Sequence, residues 1–426
     1  MQKIKNLFSN TLTLILILVL GLIVTLFFSN QTRQFVTQQR PEATTDSGTP
    51  ASTRIPTVIP VVVTIFPTPT QAPTPTPTPT FEPLSDKPIM GFVFKPPQEI
   101  PNTRNSVGYY EIIEWLPDSS EEVLVKGPLT LETVNALSGT VKQYAEVESP
   151  GNIFQPIWLF EAEGVAYLAA DIQANKTNLW LGKAGSKPEI LLSDVGSPLI
   201  PMERGRGVAV YDKSEKGMKA VSPSKQNLKP APQPATAPFP QMTPGKLLNT
   251  AYQPGGDWIA YYNVDGFRLV NSKTGEVRLV DLGERENEPL WAFDAKWSPD
   301  GQKLALIITR DRATFDFTDL YILEWPTATL HKVDDTFTFV SDIAWAPDSK
   351  HLLLKAVIDQ KDGFNIFALY ITNVSTSSDI VPVPIPIKGL AGFGDSLSWS
   401  PDGKTVLVQY FDGQEAALYR IDVTAP

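Results

Sequence analysis

The sequence predicts an all-β fold, a β-propeller of four-stranded antiparallel blades, from three observations. A five-residue phrase recurs as Trp297-Ser298-Pro299-Asp300-Gly301, Trp345-Ala346-Pro347-Asp348-Ser349 and Trp399-Ser400-Pro401-Asp402-Gly403. These copies stand 48 and 54 residues apart, and a looser one, Tyr252-Gln253-Pro254-Gly255-Gly256-Asp257, precedes the first by 45. A period of this size marks a supersecondary unit repeated around or along an axis. Each copy also leads into an apolar run: Trp258–Tyr262, Leu304–Ile308, Leu352–Leu354 and Val406–Val408.

The phrase itself says what the unit is. Proline presets φ for a tight turn, aspartate tolerates the position after it, and glycine supplies the positive φ that returns the chain. Each copy therefore reads strand–turn–strand, with the tryptophan ending the first strand and packing against a neighbour. The unit from Lys246 to Gly283 is the clearest. Leu247–Tyr252, Trp258–Tyr262, Phe267–Asn271 and Glu276–Leu282 form four short strands on three turns, a β-meander. The third strands of the next two units read Leu320–Trp325 and Ile366–Thr372. In Ile380-Val381-Pro382-Val383-Pro384-Ile385-Pro386 the prolines allow only an edge strand, which puts the fourth strand outermost and the first innermost. Four-stranded meanders with the first strand at the axis make a propeller.

Earlier units are more worn. Trp115-Leu116-Pro117-Asp118 is a recognisable copy, Phe160–Gly164 keeps the spacing without the proline, and Met202–Gly207 is the weakest. The count favours seven blades, with six as the alternative. Ser222–Gly245, rich in proline and alanine, reads as a disordered insertion in the third. The last unit supplies three strands only. The apolar segment Ile89–Phe94 is expected to complete it by pairing antiparallel with Ala416–Val423, because an open edge on either would invite aggregation.

Ahead of the propeller, at 87–426, the sequence predicts two further regions. Residues 1–30 hold a run from Leu12 to Phe28, preceded by Lys3 and Lys5, just long enough for one transmembrane helix. Phe27-Phe28-Ser29-Asn30 is a poor cleavage site, so an uncleaved anchor is expected. Residues 31–86 are rich in Pro and Thr, with strict alternation from Pro73 to Thr80, and read as a disordered polyproline-type stalk. The expected location is a single-pass cell-membrane protein with its propeller on the extracytoplasmic side.

These phrases resemble the bacterial WD40-like repeat of the TolB type, in which a Trp-Ser-Pro-Asp-Gly turn leads into an apolar strand. The resemblance is strong over Lys246–Pro426 and weak over Val107–Tyr211. It implies a propeller but no single activity, since such repeats occur in periplasmic partner-binding proteins, in hydrolase caps and in many surface proteins. Where TolB carries an α/β domain before its propeller, this sequence has the anchor and stalk.

Composition narrows the chemistry. The formal net charge is −10 with no concentrated basic face, which argues against nucleic acid. There is no cysteine, hence no disulfide or thiolate site, and the two histidines, His331 and His351, read as surface residues of separate repeats. Gly394-Asp395-Ser396-Leu397 spells an esterase nucleophile block, but a serine nucleophile needs a positioned histidine. Acidic hairpins join second and third strands, at Asp311, Asp316 and Asp319, at Asp359 and Asp362, and at Asp412. They match no calcium-loop pattern. Variable loops on a rigid scaffold are where specificity is built, so these six aspartates are the candidate partner-binding residues. Trp115, Trp297, Pro299, Asp300, Trp345, Pro347, Asp348, Trp399, Pro401 and Asp402 are read as structural. No catalytic residue, cofactor or metal is expected. The function expected is that of a non-catalytic binding module for a protein, peptide or envelope polymer. The alternative is a glycan hydrolase or lyase using carboxylates at the axial channel mouth.

Overall fold

The computed structural model describes residues 87–425 except 106–109, 118, 128, 147–152, 172–173, 175, 203–204, 225–248, 264–265, 286–287, 310–317, 335–336, 338, 362–363, 376–379, 384, 386–396 and 412–414. The predicted anchor, the stalk and most of the predicted insertion lie outside these residues. No helix among the described residues is long and apolar enough to cross a membrane.

Seven antiparallel sheets follow one another along the chain, each with its first strand on one side and its last on the other. Blade 1 comprises Ile112–Trp115, Glu122–Lys126, Thr130–Asn135 and Val141–Glu146, and blade 2 Ile153–Leu159, Gly164–Asp171, Lys176–Lys183 and Glu189–Leu192. Blade 3 shows three strands among the described residues, Val195–Met202, Gly207–Asp212 and Gly217–Val221. Blade 4 comprises Asn249–Tyr252, Trp258–Asn263, Gly266–Asn271 and Val277–Val280. Blade 5 is built from Trp291–Trp297, Lys303–Thr309, Thr318–Glu324 and Thr329–Asp334, and blade 6 from Val340–Trp345, His351–Lys361, Phe364–Asn373 and Ile380–Val383. Blade 7 has Leu397–Trp399, Thr405–Phe411 and Ala416–Thr424. As the prolines required, Ile380–Val383 is outermost in its sheet.

A separate apolar cluster fills every seam. Leu124 and Tyr144 meet Val165 and Tyr167 between blades 1 and 2, and Leu168 and Leu179 meet Leu199 and Val208 between 2 and 3. Ala209 and Met218 meet Ile259 and Tyr261, Leu269 meets Leu306, and Ile307 meets Leu354 at the next three. Leu353 meets Val406 between 6 and 7, and Leu407 and Leu418 meet Ile113 and Val123 between 7 and 1. The seventh contact closes the ring.

Closure follows the expected partner with a different geometry. Ile89–Phe94 is not one strand. Ile89 and Phe92 exchange backbone hydrogen bonds of 2.7 and 2.9 Å around a tight turn, with Met90 and Gly91 at φ 50° and 89°. Pairing begins after it, with Val93 opposite Thr424 and Phe94 opposite Val423, and resumes with Gln98 opposite Arg420 and Glu99 opposite Tyr419. Pro96 and Pro97 stand in the interruption, where two residues without N–H groups cannot donate to a ladder. Between blades 4 and 5 the connection carries a small hairpin, Glu284–Arg285 with Glu288–Pro289, that the sequence did not announce.

The repeated tryptophans end their inner strands and are 7–9% exposed. Two of them also tie blades together. Trp297 Nε1 donates to the Ala251 carbonyl of blade 4 at 3.1 Å, and Trp345 Nε1 to the Lys296 carbonyl of blade 5 at 2.8 Å. The turn beyond is wired identically in blades 5 and 7. Ser298 Oγ donates to Asp300 Oδ1 at 2.6 Å and accepts from the Lys303 amide at 2.9 Å, while Ser400 does the same with Asp402 and Thr405 at 2.8 and 2.9 Å. Blade 6 has Ala346 in place of that serine, and His351 takes over, its Nδ1 lying 2.6 Å from Asp348 Oδ2. Ser349 holds the left-handed turn position, at φ 58°, that Gly301 and Gly403 hold elsewhere, and its Oγ accepts the Asp300 amide of blade 5 at 3.0 Å. An interblade hydrogen bond thus accompanies the strained residue.

Two measurements check this account. Replacing Trp297 or Trp345 by Ala is expected to lower unfolding free energy by about 3–5 kcal/mol in urea titrations; losses well under 1 kcal/mol at both would mean the rings do not carry the seams. The second concerns acid. Burial raises the pKa values of Asp300, Asp348 and Asp402, but their amide, hydroxyl and basic partners outweigh it and hold all three below the ordinary value. Asp212, in the blade 3 hairpin, is lowered to about 2, first by the Ser214 hydroxyl. Carboxylates depressed on folding contribute stability above their unfolded pKa and lose it as pH falls through the folded one. Stability should therefore decline from about pH 4 downwards, and Asp212→Asn should be less stable than the parent at neutral pH while converging with it near pH 2.

Candidate functional site

Antiparallel meanders dictate two faces. Turns from first to second and from third to fourth strands share one, here the motif face. Hairpins from second to third strands and the connections between blades share the other, the hairpin face. The inner strands line the axis between them.

A continuous polar network runs from the second strand of blade 4 through the inner strands of blades 5, 6 and 7. Tyr262 Oη donates to Asp294 Oδ1 at 3.2 Å and accepts the Ala295 amide at 3.2 Å. Lys296 Nζ lies 4.0 Å from Asp294 Oδ2 and 2.7 Å from Asp342 Oδ1 of the next blade. Asp342 then accepts the Leu397 amide of blade 7 at 2.6 Å. A bulge precedes each aspartate, at Phe293 and Ser341, and re-aims the residue after it. Asp294 and Asp342 then accept the following amide, of Ala295 and Ile343, at 2.7 Å each. Opposite Asp342 in the ladder, Lys355 is fully buried, its ammonium 5.0 Å from the Phe367 ring. Burial lowers its pKa to about 8, partly opposed by the Asp342 charge.

The inner strands of blades 2, 3 and 4 are joined by neutral groups. Gln155, at φ 49° in a bulge of blade 2, donates to Thr250 Oγ1 of blade 4 at 3.3 Å and accepts the Leu199 amide of blade 3 at 3.0 Å. Tyr252 Oη donates to the Leu199 carbonyl. Glu114, on the inner strand of blade 1, is exposed.

Chemically, the arrangement is a set of cross-blade bonds. Two carboxylates on adjacent inner strands share one ammonium. Among the described residues no group of three or more His, Asp or Glu is arranged to hold a metal ion. Trp258 and Trp325, half-buried at the seam of blades 4 and 5, have the Arg278 guanidinium 4.8 Å from each ring, a cation–π packing of the seam.

The residues singled out in the sequence are distributed as follows. Asp319 is the second residue of a blade 5 strand and pairs with Lys332 at 3.1 Å. Asp359 lies in the long second strand of blade 6, its backbone opposite Ile366. Asp311, Asp316, Asp362 and Asp412 lie outside the described residues, in connections between second and third strands. Gly394–Ser396 of the esterase-like block lie outside them too, and Leu397 opens the inner strand of blade 7. His331 is exposed on an outer strand. His351, by contrast, is a turn component, with Nε2 3.2 Å from Asn373 Nδ2. Sequence reasoning missed Asp294, Lys296, Asp342 and Lys355. One signal was available: both aspartates stand three residues before a repeat tryptophan.

Asp342 is the stricter partner, its side chain 1% exposed against 17% for Asp294. Asp342→Asn should cost about 3–5 kcal/mol, the range for breaking a buried pair, and Asp294→Asn clearly less, both read by urea unfolding. Equal small losses would mean that the network does not hold the ring.

No protein-family model matches the chain, and no curated protein does. Solved structures resemble it at low identity. TolB from Acinetobacter baumannii is 15% identical, with 76% of this chain and 64% of that one covered and a TM-score of 0.40. A putative TolB from Agrobacterium tumefaciens is 12% identical over 73% and 90% of the two chains, with a TM-score of 0.41. An oligogalacturonate lyase in complex with manganese is 15% identical over 78% and 96%, with a TM-score of 0.47. The chain thus spans less than two thirds of the first of these, and none of them carries an activity over to it.

Proposed function

We propose that this chain is a non-catalytic, membrane-tethered propeller that presents its hairpin face to a protein, peptide or envelope polymer outside the cytoplasmic membrane. One observation carries the reading. The Ile89–Phe92 turn leads into the ring at the motif face, with Phe92 5.1 Å from the His351 ring of the blade 6 motif turn and 5.2 Å from Trp399. The described chain therefore enters the ring on that face, and the second-to-third-strand hairpins lie on the other. A tether on one face and variable loops on the other suit a module held off a surface to meet a partner. The cross-blade use of Asp294, Lys296 and Asp342 supports the same reading, because those axial charges serve the ring.

The second reading, a glycan-active enzyme, is favoured by one feature, the two carboxylates brought together on adjacent inner strands. Incubation with acidic and neutral oligosaccharides separates the two. No new reducing or unsaturated ends are expected; turnover abolished by Asp294→Asn would establish the enzyme instead.

Two further outcomes are expected. If Leu12–Phe28 is an uncleaved anchor, membrane fractions should yield a chain beginning at or next to Met1. A terminus near Asn30 in membrane-free fractions would remove the tether. Charge reversal at Asp316, Asp359 and Asp362 should reduce capture of envelope components by about tenfold, and equal changes at Asp300, Asp348 and Asp402 should not once folding is matched. The opposite ranking would move the binding surface to the motif face.

A further inference from the structure

We propose that Ile89–Asn105 is a releasable strap, and that blade 7, whose outer edge it covers, is the part of the ring that opens first when the strap is drawn away. The inference stands whether or not the preceding chain is anchored in a membrane.

The strap is held in patches. Pairs at Val93–Phe94 and at Gln98–Glu99 make its ladder, each extended by one amide, of Lys95 to the Asp422 carbonyl and of Ile100 to the Leu418 carbonyl; Asn105 adds a bridge to Ala416, and Pro96-Pro97 interrupts between them. Its apolar grip is at the ends. Phe92 and Phe94 pack on Trp399, with centroids 5.2 and 6.2 Å away, and Ile100 is buried against blades 7 and 1. The ion pairs Arg104–Glu99 and Arg104–Glu415, at 2.7 and 3.3 Å, are largely exposed and hold little.

Blade 7 also lacks, on both sides, the tryptophan tie found at the seams of blades 4 with 5 and 5 with 6. It is joined instead by the Leu397 amide on Asp342 of blade 6 and by Gln409 with the Tyr110 backbone beside blade 1. Trp399 Nε1 donates at 3.1 Å to Gly403 of its own turn, not to blade 6. Trp115 Nε1, which would reach back to blade 7, is buried without a hydrogen-bond partner. Several bonds at the seam with blade 1 belong to the strap itself. Thr103 Oγ1 accepts the Leu418 amide at 3.1 Å, the Thr103 carbonyl accepts from Tyr110 Oη at 2.9 Å, and Asn102 Nδ2 donates to the Gly139 carbonyl at 3.3 Å. Drawing the strap out removes the edge pairing of blade 7 and part of its seam in one event. Load arriving along the chain from residues 1–86 meets Ile89–Phe94 first.

The chain has no cysteine, so a crosslink at the strap is unambiguous. Val93 and Thr424 are directly opposed, a spacing that suits a disulfide. Amide hydrogen exchange is measured on the full-length protein carrying V93C and T424C. In the reduced form, amides of Leu397–Trp399, Thr405–Phe411 and Ala416–Thr424 should exchange about tenfold faster than the matching strands of blades 4 and 5. Oxidation should abolish the difference and reductant restore it. Phe92→Ala with Phe94→Ala should accelerate blade 7 alone; if that variant does not fold, the crosslink comparison decides. Blade 7 exchanging no faster than blades 4 and 5 when reduced would overturn the proposal. So would an oxidised crosslink without effect, or a cysteine pair that does not oxidise.

Discussion

The seam between neighbouring blades is the constraint on which this structure depends. Within a blade neighbouring strands are joined by backbone ladders, but adjacent blades share no backbone sheet and must be joined by side chains. Apolar burial supplies most of that joining, at about 25 cal/mol for each Å² removed from water, and it is not directional. Direction comes from the indole ties. Trp297 and Trp345 reach the carbonyl immediately before the corresponding inner-strand end of the preceding blade, which fixes how far each sheet turns relative to the last. Asp294, Lys296 and Asp342 repeat the device nearer the axis. At the seams of blades 4 to 6 the joining is thus directed by side chains from the last few residues of the inner strands.

This explains why the phrase is uniform and why it tolerates one departure. A turn that sets the register of strand, tryptophan and neighbour has little freedom, and serine and aspartate satisfy its amides in blades 5 and 7. Blade 6 gives up the serine hydroxyl and the glycine. It recovers with His351 against Asp348 and with the Ser349 hydroxyl bonded to blade 5. A left-handed non-glycine residue costs roughly 1 kcal/mol, and a net hydrogen bond returns a similar amount.

The same economy separates structure from function in space. The motif face carries the repeated turns of blades 5 to 7, whose side chains serve the seams, and the chain from the N-terminal side joins there. The hairpin face carries connections that vary in length and charge, and the axis between the faces is crossed by bonds. The reading of a presented binding face rests on this division of labour.

Much of the fold was legible because its rules are local. Proline, aspartate and glycine fix a turn within five residues, alternation and length mark the strands, and Pro382 identifies an outer edge by the amide it lacks. Even the partner of the closing segment followed from counting strands. Its geometry did not: the Ile89–Phe92 turn packs against Trp399 and His351, which stand far away in sequence. The candidate site was hidden for the same reason. Asp294, Lys296, Asp342 and Lys355 look like ordinary strand charges, and Gln155 like an ordinary polar residue. By itself the sequence determined the repeat, its strand order and its turn chemistry. Only the tertiary structure decided which charges meet across seams, because those meetings depend on the angle between blades, to which dozens of residues in separate repeats contribute together.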